Sequence, residues 1–436
     1  MKMLDNFLIH NRFKKSLPDF LKNDPQLMTI SKLRYQSHVH WWEALSLDTP
    51  GIYILTGGRQ VGKSTSCKQL IASCLEQKKF APKNIFYLPC DEIFDAQALS
   101  KTIKIFLDQT DGNPFLLVVD EVTFVKHWER VIKSLADEAW FKQGICLLTG
   151  SDSLILKEAA MSFPGRRGEA EQTDFHLYPL SFSQYVSLMN ETSKEPSIEK
   201  LAELFETYLV CGGYLRAIND IAEHGKILEA TYQTYEQWIR GDFIKHGKNE
   251  NYLLNILAAF IRIGVSQISF SSLNQNIGLM SKETLINYYN LLERMDVLFN
   301  LQAYDISKKQ GFPKKARKFH FVDPFIQNTI FRWVKREGVL NGELLKSNLV
   351  EACVASHCHR MAKSFYFKGQ GEVDVIMQKE KFPLAIEVKW AEQIRPIDLK
   401  TLKQFKHAVL LTKQPHAGTY EHITSQSVYE FLYHLM

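Results

Sequence analysis

Cysteine is scarce in this 436-residue chain, and what there is forms no pattern: Cys67, Cys74, Cys90, Cys146, Cys211, Cys353 and Cys358 are odd in number and include no Cys-x-x-Cys pair. That excludes a disulfide framework and favours reduced, buried thiols in a cytoplasmic protein. Long apolar runs are missing too. The longest, such as 115–119 and 145–148, are a third or less of the roughly 20 residues a membrane helix needs. The N-terminal MKMLDNFLIHNRFKKSLPDF is charged throughout and lacks an apolar stretch of signal-peptide length, so neither secretion nor a membrane is expected. No sign of charge dominates. The 53 Lys and Arg against 48 Asp and Glu leave +5, so any basic footprint must be local. A repeat with a period of roughly 20 to 50 residues is also absent, which excludes a solenoid. What remains is a chain 45% hydrophobic and long enough for about three domains, each able to bury a core.

The first half alternates short apolar runs with amphipathic stretches, the pattern of a parallel sheet covered by helices. Strands are expected at 52–55, 85–88, 115–119, 146–148 and 175–177. After the first of them comes Gly57-Gly58-Arg59-Gln60-Val61-Gly62-Lys63-Ser64-Thr65, a full GxxxxGK[ST] match followed by an amphipathic helix. Its glycines let backbone N–H groups converge on phosphate oxygens, the helix presents its positive end, Lys63 reaches the β and γ phosphates of ATP, and Ser64 Oγ can bind Mg²⁺.

A phosphate cradle needs a second carboxylate site, and FLLVVDE supplies one: Asp120 would hold the Mg²⁺ hydration shell and Glu121 would orient and polarise the attacking water. One further strand, NIFYL, separates the two motifs. That insertion and the Asp-Glu pair point to the P-loop division that includes AAA+ proteins. After the fourth strand, Thr149, Ser151 and Asp152 are candidates to sense the γ phosphate, with Ser151 placed first. In Gly165-Arg166-Arg167-Gly168, Arg166 is the candidate to neutralise the transition state, in its own subunit or a neighbour's.

Beyond the polar, helix-breaking NETSKEPS, helices are expected at 201–222 and 227–239, and Arg216 is a further nucleotide-sensing candidate. Three helices then precede two strands, LFNLQAY and KFHFV, the order of a winged helix-turn-helix. The third helix starts after Ser281, a plausible N-cap, and keeps Leu285, Tyr289, Leu292 and Met295 on one face. Lys308, Lys309, Lys314, Lys315, Arg317 and Lys318 crowd the wing with no acid among them, and could meet DNA or RNA phosphates while Lys282 and Asn287 approach a groove. The bland alternatives are a solvated loop and a winged helix that contacts protein.

In the tail, GEVDVI and AIEVK read as strands. Asp374 and Glu387 could share a divalent metal, Lys389 falls on the same face as Glu387, and Glu351 on a preceding helix could add a ligand. Two carboxylates with a metal and a lysine suit phosphodiester cleavage, although acids near ExK also arise by chance. His357-Cys358-His359 cannot face one metal from a helix and reads as surface or core side chains.

The order of these motifs resembles a known group: prokaryotic AAA-type ATPases whose core is followed by a C-terminal domain of unknown function related in fold to PD-(D/E)XK nucleases. The likeness runs from Arg34-Tyr35 through GGRQVGKST, LLVVDEVTFVKHWERVIKSL, LLTGSDS, PGRR, LYPLSF and YLVCGGY to KFHFVDPF, EVDVIM and AIEVKW. Two departures are Leu215, where the lid often carries proline, and VTFVKHWE, where relatives favour a glutamine and a proline. The resemblance implies ATP and Mg²⁺ at Gly62, Lys63, Ser64, Asp120 and Glu121, a role for the Arg166 region, and a nuclease-like tail around Asp374, Glu387 and Lys389.

The expected fold class is α/β: an AAA+-type parallel sheet with a helical lid, a winged helix-turn-helix, and an α/β restriction-endonuclease-like domain. The expected segments are a helical 1–47, an ATPase core 48–182, a lid 183–247, a winged helix 248–318 and the nuclease-like 319–436. Two functions follow. One is an ATP-hydrolysing switch or motor on nucleic acid; the other is a nucleotide-gated scaffold for a protein partner, its tail catalytically inactive. Assembly into an oligomer is compatible with either.

Overall fold

An apolar run without alternation needs cover on both faces, and four such runs lie side by side here, with a short fifth strand at the sheet's edge. The computed structural model describes residues 2–37, 40–150, 156, 163, 165–190, 195–278, 281–379, 382–391, 399–414 and 422–435. Its chain divides into two units, Met1–Tyr178 and Pro179–Met436.

In the first unit, β1 (Gly51–Thr56), β2 (Ile85–Pro89), β3 (Leu116–Asp120), β4 (Ile145–Thr149) and β5 (Asp174–His176) pair in the order β2-β3-β4-β1-β5, all parallel. Strand alternation divides their side chains between two cores. Ile52, Ile54, Leu88, Leu117, Val119, Cys146 and Leu148 join the helices Ala96–Gln109 and Trp128–Asp137 through Leu99, Ile103, Phe106, Ile132 and Leu135. Tyr53, Leu55, Tyr87, Leu116, Val118, Ile145 and Leu147 face the other way, toward Cys67, Leu70, Ile71 and Cys74 of the helix Lys63–Glu76. The strands thus lie where the apolar runs predict them.

The N-terminal segment is tied to the second core. Its short helices Leu17–Asn23 and Pro25–Ser31 contribute Phe20 and Leu27, and Asp24, which caps the second of them, also accepts from Lys68 Nζ at 2.6 Å. Both charges are buried, so loss of either partner would strand the other in a low dielectric.

The second unit carries a mixed sheet ordered β12-β11-β10-β9-β8-β6-β7. Its strands are β6 (Leu298–Asp305), β7 (Gln310–Phe321), β8 (Ser364–Lys368), β9 (Glu372–Met377), β10 (Leu384–Lys389), β11 (His407–Thr412) and β12 (Ile423–Ser427). Helices Glu250–Ile263, Phe270–Ile277 and Lys282–Arg294 precede the β6-β7 hairpin. Ser281 caps the third by accepting from Thr284 N–H, and Leu285, Tyr289, Leu292 and Met295 are buried. The hairpin is no detached ribbon, because β6 also pairs in parallel with β8.

The helix expected over 201–222 is broken. Ile198–Cys211 ends at Gly212-Gly213 and a new helix, Leu215–His224, begins. Gly212 has φ 53°, and a Cβ there would stand 1.8 Å from Asp323 Oδ1; one on Gly213 would stand 2.1 Å from the Leu180 carbonyl oxygen. Close packing, rather than helical periodicity, sets this boundary. All seven cysteines are buried and unpaired. Among the described residues, no helix is long and apolar enough to cross a membrane.

Candidate functional site

The loop between β1 and the helix Lys63–Glu76 turns on residues that tolerate a left-handed backbone: Gln60 at φ 62° and Gly62 at φ 97°. Gly57 passes so close to the chain that a Cβ would meet the Leu177 carbonyl oxygen at 2.4 Å. Lys63 is buried, and its Nζ donates to the carbonyls of Gly57 at 2.8 Å and Gly58 at 3.0 Å. The Glu121 carboxylate lies 3.8 Å from the same ammonium.

Register brings the carboxylates to this loop. β3 lies between β2 and β4, with Asp120 opposite Pro89, so its C-terminal residues reach the edge where β1 delivers the glycine-rich turn. Asp120 is buried and accepts from the Tyr87 and Thr149 hydroxyls. The Glu121 N–H donates to Thr149 Oγ1 at 3.0 Å, so a single hydroxyl holds both acidic residues. Burial and the neighbouring Asp120 push the Tyr87 phenol well above its ordinary range, which keeps it a neutral donor. Glu121 adopts φ 52°, a left-handed backbone that non-glycine residues seldom take and that gathers at functional sites. Residues 49–186 match the family model of an AAA domain.

The first unit carries an AAA-type P-loop ATPase domain. Two further segments, 202–337 and 346–431, match models of domains of unknown function, DUF8612 and DUF4143. The chain is similar to an uncharacterized protein of Haemophilus influenzae, 25% identical over 287 residues that make up 63% of this chain and 68% of the relative. It is also similar to an uncharacterized protein of Methanocaldococcus jannaschii, 23% identical over 397 residues, 82% of this chain and 80% of the relative. Among solved structures, the Walker-type ATPase PABY2304 of Pyrococcus abyssi matches with TM-score 0.47 and 13% identity, covering 67% of this chain and 95% of that one. The ORC1 protein of Aeropyrum pernix, solved in complex with DNA, matches with TM-score 0.33 and 11% identity over 69% and 91%.

The donor set of the AAA domain fits a nucleotide with its Mg²⁺. Ser64 opens a helix beside Lys63, and the Tyr87 hydroxyl, which hydrogen-bonds Ser64, also donates to Asp120, so a hydroxyl and a carboxylate oxygen stand together as hard ligands. Other expected residues are placed differently. Arg166 pairs with Asp137 at 2.5 Å, and Arg167 pairs with Asp174 at 2.7 Å. Ser151 and Asp152 lie outside the described residues. Arg216, in the second unit, donates to Thr234 at 3.1 Å.

Within the second unit, three of the motifs that carry the resemblance meet around one acid. Asp323, ahead of the helix Pro324–Arg336, accepts from Phe325 N–H at 2.8 Å and from Gly213 N–H at 3.0 Å. Leu180 N–H donates to the Gly213 carbonyl at 2.9 Å, and Arg360 donates to the carbonyls of Pro179 and Val322, both at 2.8 Å. LYPLSF, CGGY and VDPF therefore form a structural bracket. Burial raises Asp323 to about 6, with Arg360 and the N–H donors opposing it. His357 belongs to the same core. Its Nδ1 bonds the Cys353 carbonyl at 2.8 Å and its Nε2 accepts from Phe182 N–H at 2.9 Å, while burial lowers it to about 3.

The tail carboxylates come together around an unexpected group. Lys318, read from sequence as a solvent-facing cation of the wing, is buried on β7. Its Nζ lies 2.8 Å from Glu351, 2.7 Å from Glu372 and 2.9 Å from Asp374. It therefore has no surface from which to meet a nucleic acid, and that assignment is corrected. Lys308, Lys309, Lys314 and Lys315 are exposed as expected, whereas Arg317 is half-buried, lying over Phe270 at 5.4 Å and donating to Asn300 at 3.4 Å.

Asp374 Oδ2 accepts from Val388 N–H at 2.9 Å, and Glu387 Oε1 pairs with Lys389 at 2.6 Å. Glu387 Oε2 is buried with no hydrogen-bond partner among the described residues. Burial and then Asp374 push Glu387 up to about 8 and Glu351 well up, while for Asp374 burial is outweighed by Lys318 and its carboxyl is lowered. Glu372 was legible: it stands two residues before Asp374 on one strand and so shares its face. Lys318 offered no such signal inside a lysine-rich run.

Proposed function

We propose that the AAA domain binds and hydrolyses ATP with Mg²⁺, and that this cycle drives a switch or motor acting on nucleic acid. The reading rests on one convergence: Lys63 bonded to Gly57 and Gly58 with Glu121 at 3.8 Å, beside an Asp120 that β3 delivers and Thr149 anchors. On nucleotide binding, Lys63 exchanges those carbonyls for β and γ phosphate oxygens, and the N–H groups of 57–65 cradle the phosphates. Ser64 and Asp120 would hold Mg²⁺, which when bound would offset negative charge developing on the phosphates. Glu121 orients the attacking water. Thr149 is a positioning residue, and Arg166 would leave Asp137 to neutralise the transition state in its own subunit or a neighbouring copy.

The segments beyond the core are proposed as a lid over 183–247, a winged helix over 248–318 and a nuclease-like tail over 319–436. The sequence of three helices and the β6-β7 hairpin supports the second of these. Exposed Lys308, Lys309, Lys314 and Lys315 suit phosphate backbones, and exposed Lys282 and Asn287 suit a groove. One observation favours the second reading, a nucleotide-gated scaffold for a protein partner: Lys318 neutralises the tail carboxylates from within. ATP turnover measured with and without DNA and RNA across salt decides between them. Stimulation that fades as salt rises supports action on nucleic acid. Unstimulated turnover with no binding at low salt replaces that reading with the scaffold.

A further inference from the structure

Read from the sequence, Asp374 and Glu387 could share a divalent metal, and Glu351 could add a third ligand. The donor set does not fit one. A Mg²⁺ ion needs near-octahedral oxygens at roughly 2.0–2.1 Å and keeps several waters. Here the Lys318 ammonium already sits within 2.7–2.9 Å of oxygens from Glu351, Glu372 and Asp374. The second Asp374 oxygen is taken by Val388 N–H at 2.9 Å, and Glu387 Oε1 by Lys389 at 2.6 Å. Of the three expected ligands, the two on β9 and β10 thus retain only Glu387 Oε2 without a partner among the described residues. A divalent ion bound to the same oxygens would lie against a buried positive charge in a low-dielectric surrounding.

The placement of Lys318 follows from its strand. β7 enters the core between Arg317 and Phe319, so Lys318, Phe319, His320 and Phe321 are all buried. The ammonium lies 6.0 Å from the Tyr366 ring. A lysine stem can be buried along apolar surface only if its charge is met, and three carboxylates from β9 and the helix Lys346–Met361 meet it. His320, two residues on and fully enclosed, is lowered to about 3 by burial first and by Lys318 next, so the ring adds no second charge.

We propose that Lys318 is the resident cation of the C-terminal carboxylate cluster: its ammonium takes the position a divalent metal would need, and the cluster clamps β7 to β9 and the helix Lys346–Met361 instead of cleaving phosphodiesters. The clamp joins the strand that carries the exposed Lys314 and Lys315 to the tail's catalytic-looking residues. It does not depend on ATP hydrolysis.

The test is a Mn²⁺ titration of the full chain without nucleotide, followed by electron paramagnetic resonance. Wild type and Asp374→Asn should bind Mn²⁺ alike, with no site that depends on Asp374. Lys318→Gln should gain one site at least tenfold tighter than any in wild type, and Asp374→Asn in that background should abolish it. An Asp374-dependent Mn²⁺ site in wild type overturns the proposal, as does a folded Lys318→Gln variant that gains none. Should Lys318→Gln fail to fold, the wild-type protein still decides: Mn²⁺-dependent cleavage of DNA or RNA that Asp374→Asn removes contradicts a resident ammonium, and absence of cleavage across Mg²⁺ and Mn²⁺ upholds it.

Discussion

Thr149 donates its hydroxyl to Asp120 and accepts from the Glu121 N–H at 3.0 Å, so one side chain orients both acids. Thr149→Val keeps the shape and removes the hydroxyl. It is expected to lower ATP turnover about ten- to a hundredfold while leaving nucleotide affinity within about threefold, as for a residue that acts through its neighbours. Comparing kcat with nucleotide Kd checks this; a loss confined to Kd would contradict it. His357 gives a second prediction at this scale. Its folded value of about 3 lies below the 6.5 of a free imidazole, so between those values the unfolded chain binds more protons. Its contribution is present above pH 6.5 and is lost as pH falls toward 3, on the order of 5 kcal/mol across that window. Denaturant unfolding at several pH values should show a shallower acid loss in His357→Gln than in wild type; equal slopes would exclude the ring as a cause. Residues of this kind were only partly legible in the sequence. Lys63, Asp120 and Glu121 stand in motifs whose spacing carries their chemistry. Thr149 was one of three candidates; its bonds to Asp120 and Glu121 come from the fold, whereas Ser151 and Asp152 lie outside the described residues. Lys318 was hidden because its burial depends on acids 33 to 56 positions away in the chain.

At the scale of elements, four of the five parallel strands were legible because fully buried strands read as unbroken apolar runs ending in turns, whereas β5 is a short edge strand that buries only Phe175. The break at Gly212-Gly213 was not, since the helical pattern continues through it and the cause is Asp323, 110 residues on. Gly212→Ala forces a Cβ against that carboxylate at a φ of 53° and should destabilise the second unit by about 3 kcal/mol. Chemical denaturation measures it, and an unchanged midpoint would show that the bracket yields freely. The hairpin carries its own prediction. Lys314→Glu with Lys315→Glu should weaken nucleic-acid binding and reduce the slope of log affinity against log salt by about 1 for each phosphate that is no longer neutralised. Unaltered affinity and slope would remove the hairpin from the interface.

For the whole molecule, a nearly balanced composition conceals local clusters of charge. Exposed Lys308, Lys309, Lys314 and Lys315 lie on one hairpin, and the clustered acids Glu351, Glu372, Asp374 and Glu387 are matched internally by Lys318 and Lys389. The motifs of the resemblance divide likewise: GKS and DE serve the AAA domain, whereas LYPLSF from Pro179 onward, CGGY and VDPF build the second unit's bracket. The central claim is that the AAA domain is a working ATPase whose Glu121 acts on water and whose Lys63 acts on phosphate. Steady-state ATP turnover, measured beside nucleotide affinity in wild type, Lys63→Ala and Glu121→Gln, tests it most directly. Binding should be lost in Lys63→Ala, and kept with turnover at least a hundredfold lower in Glu121→Gln. Equal turnover in wild type and Glu121→Gln would contradict it.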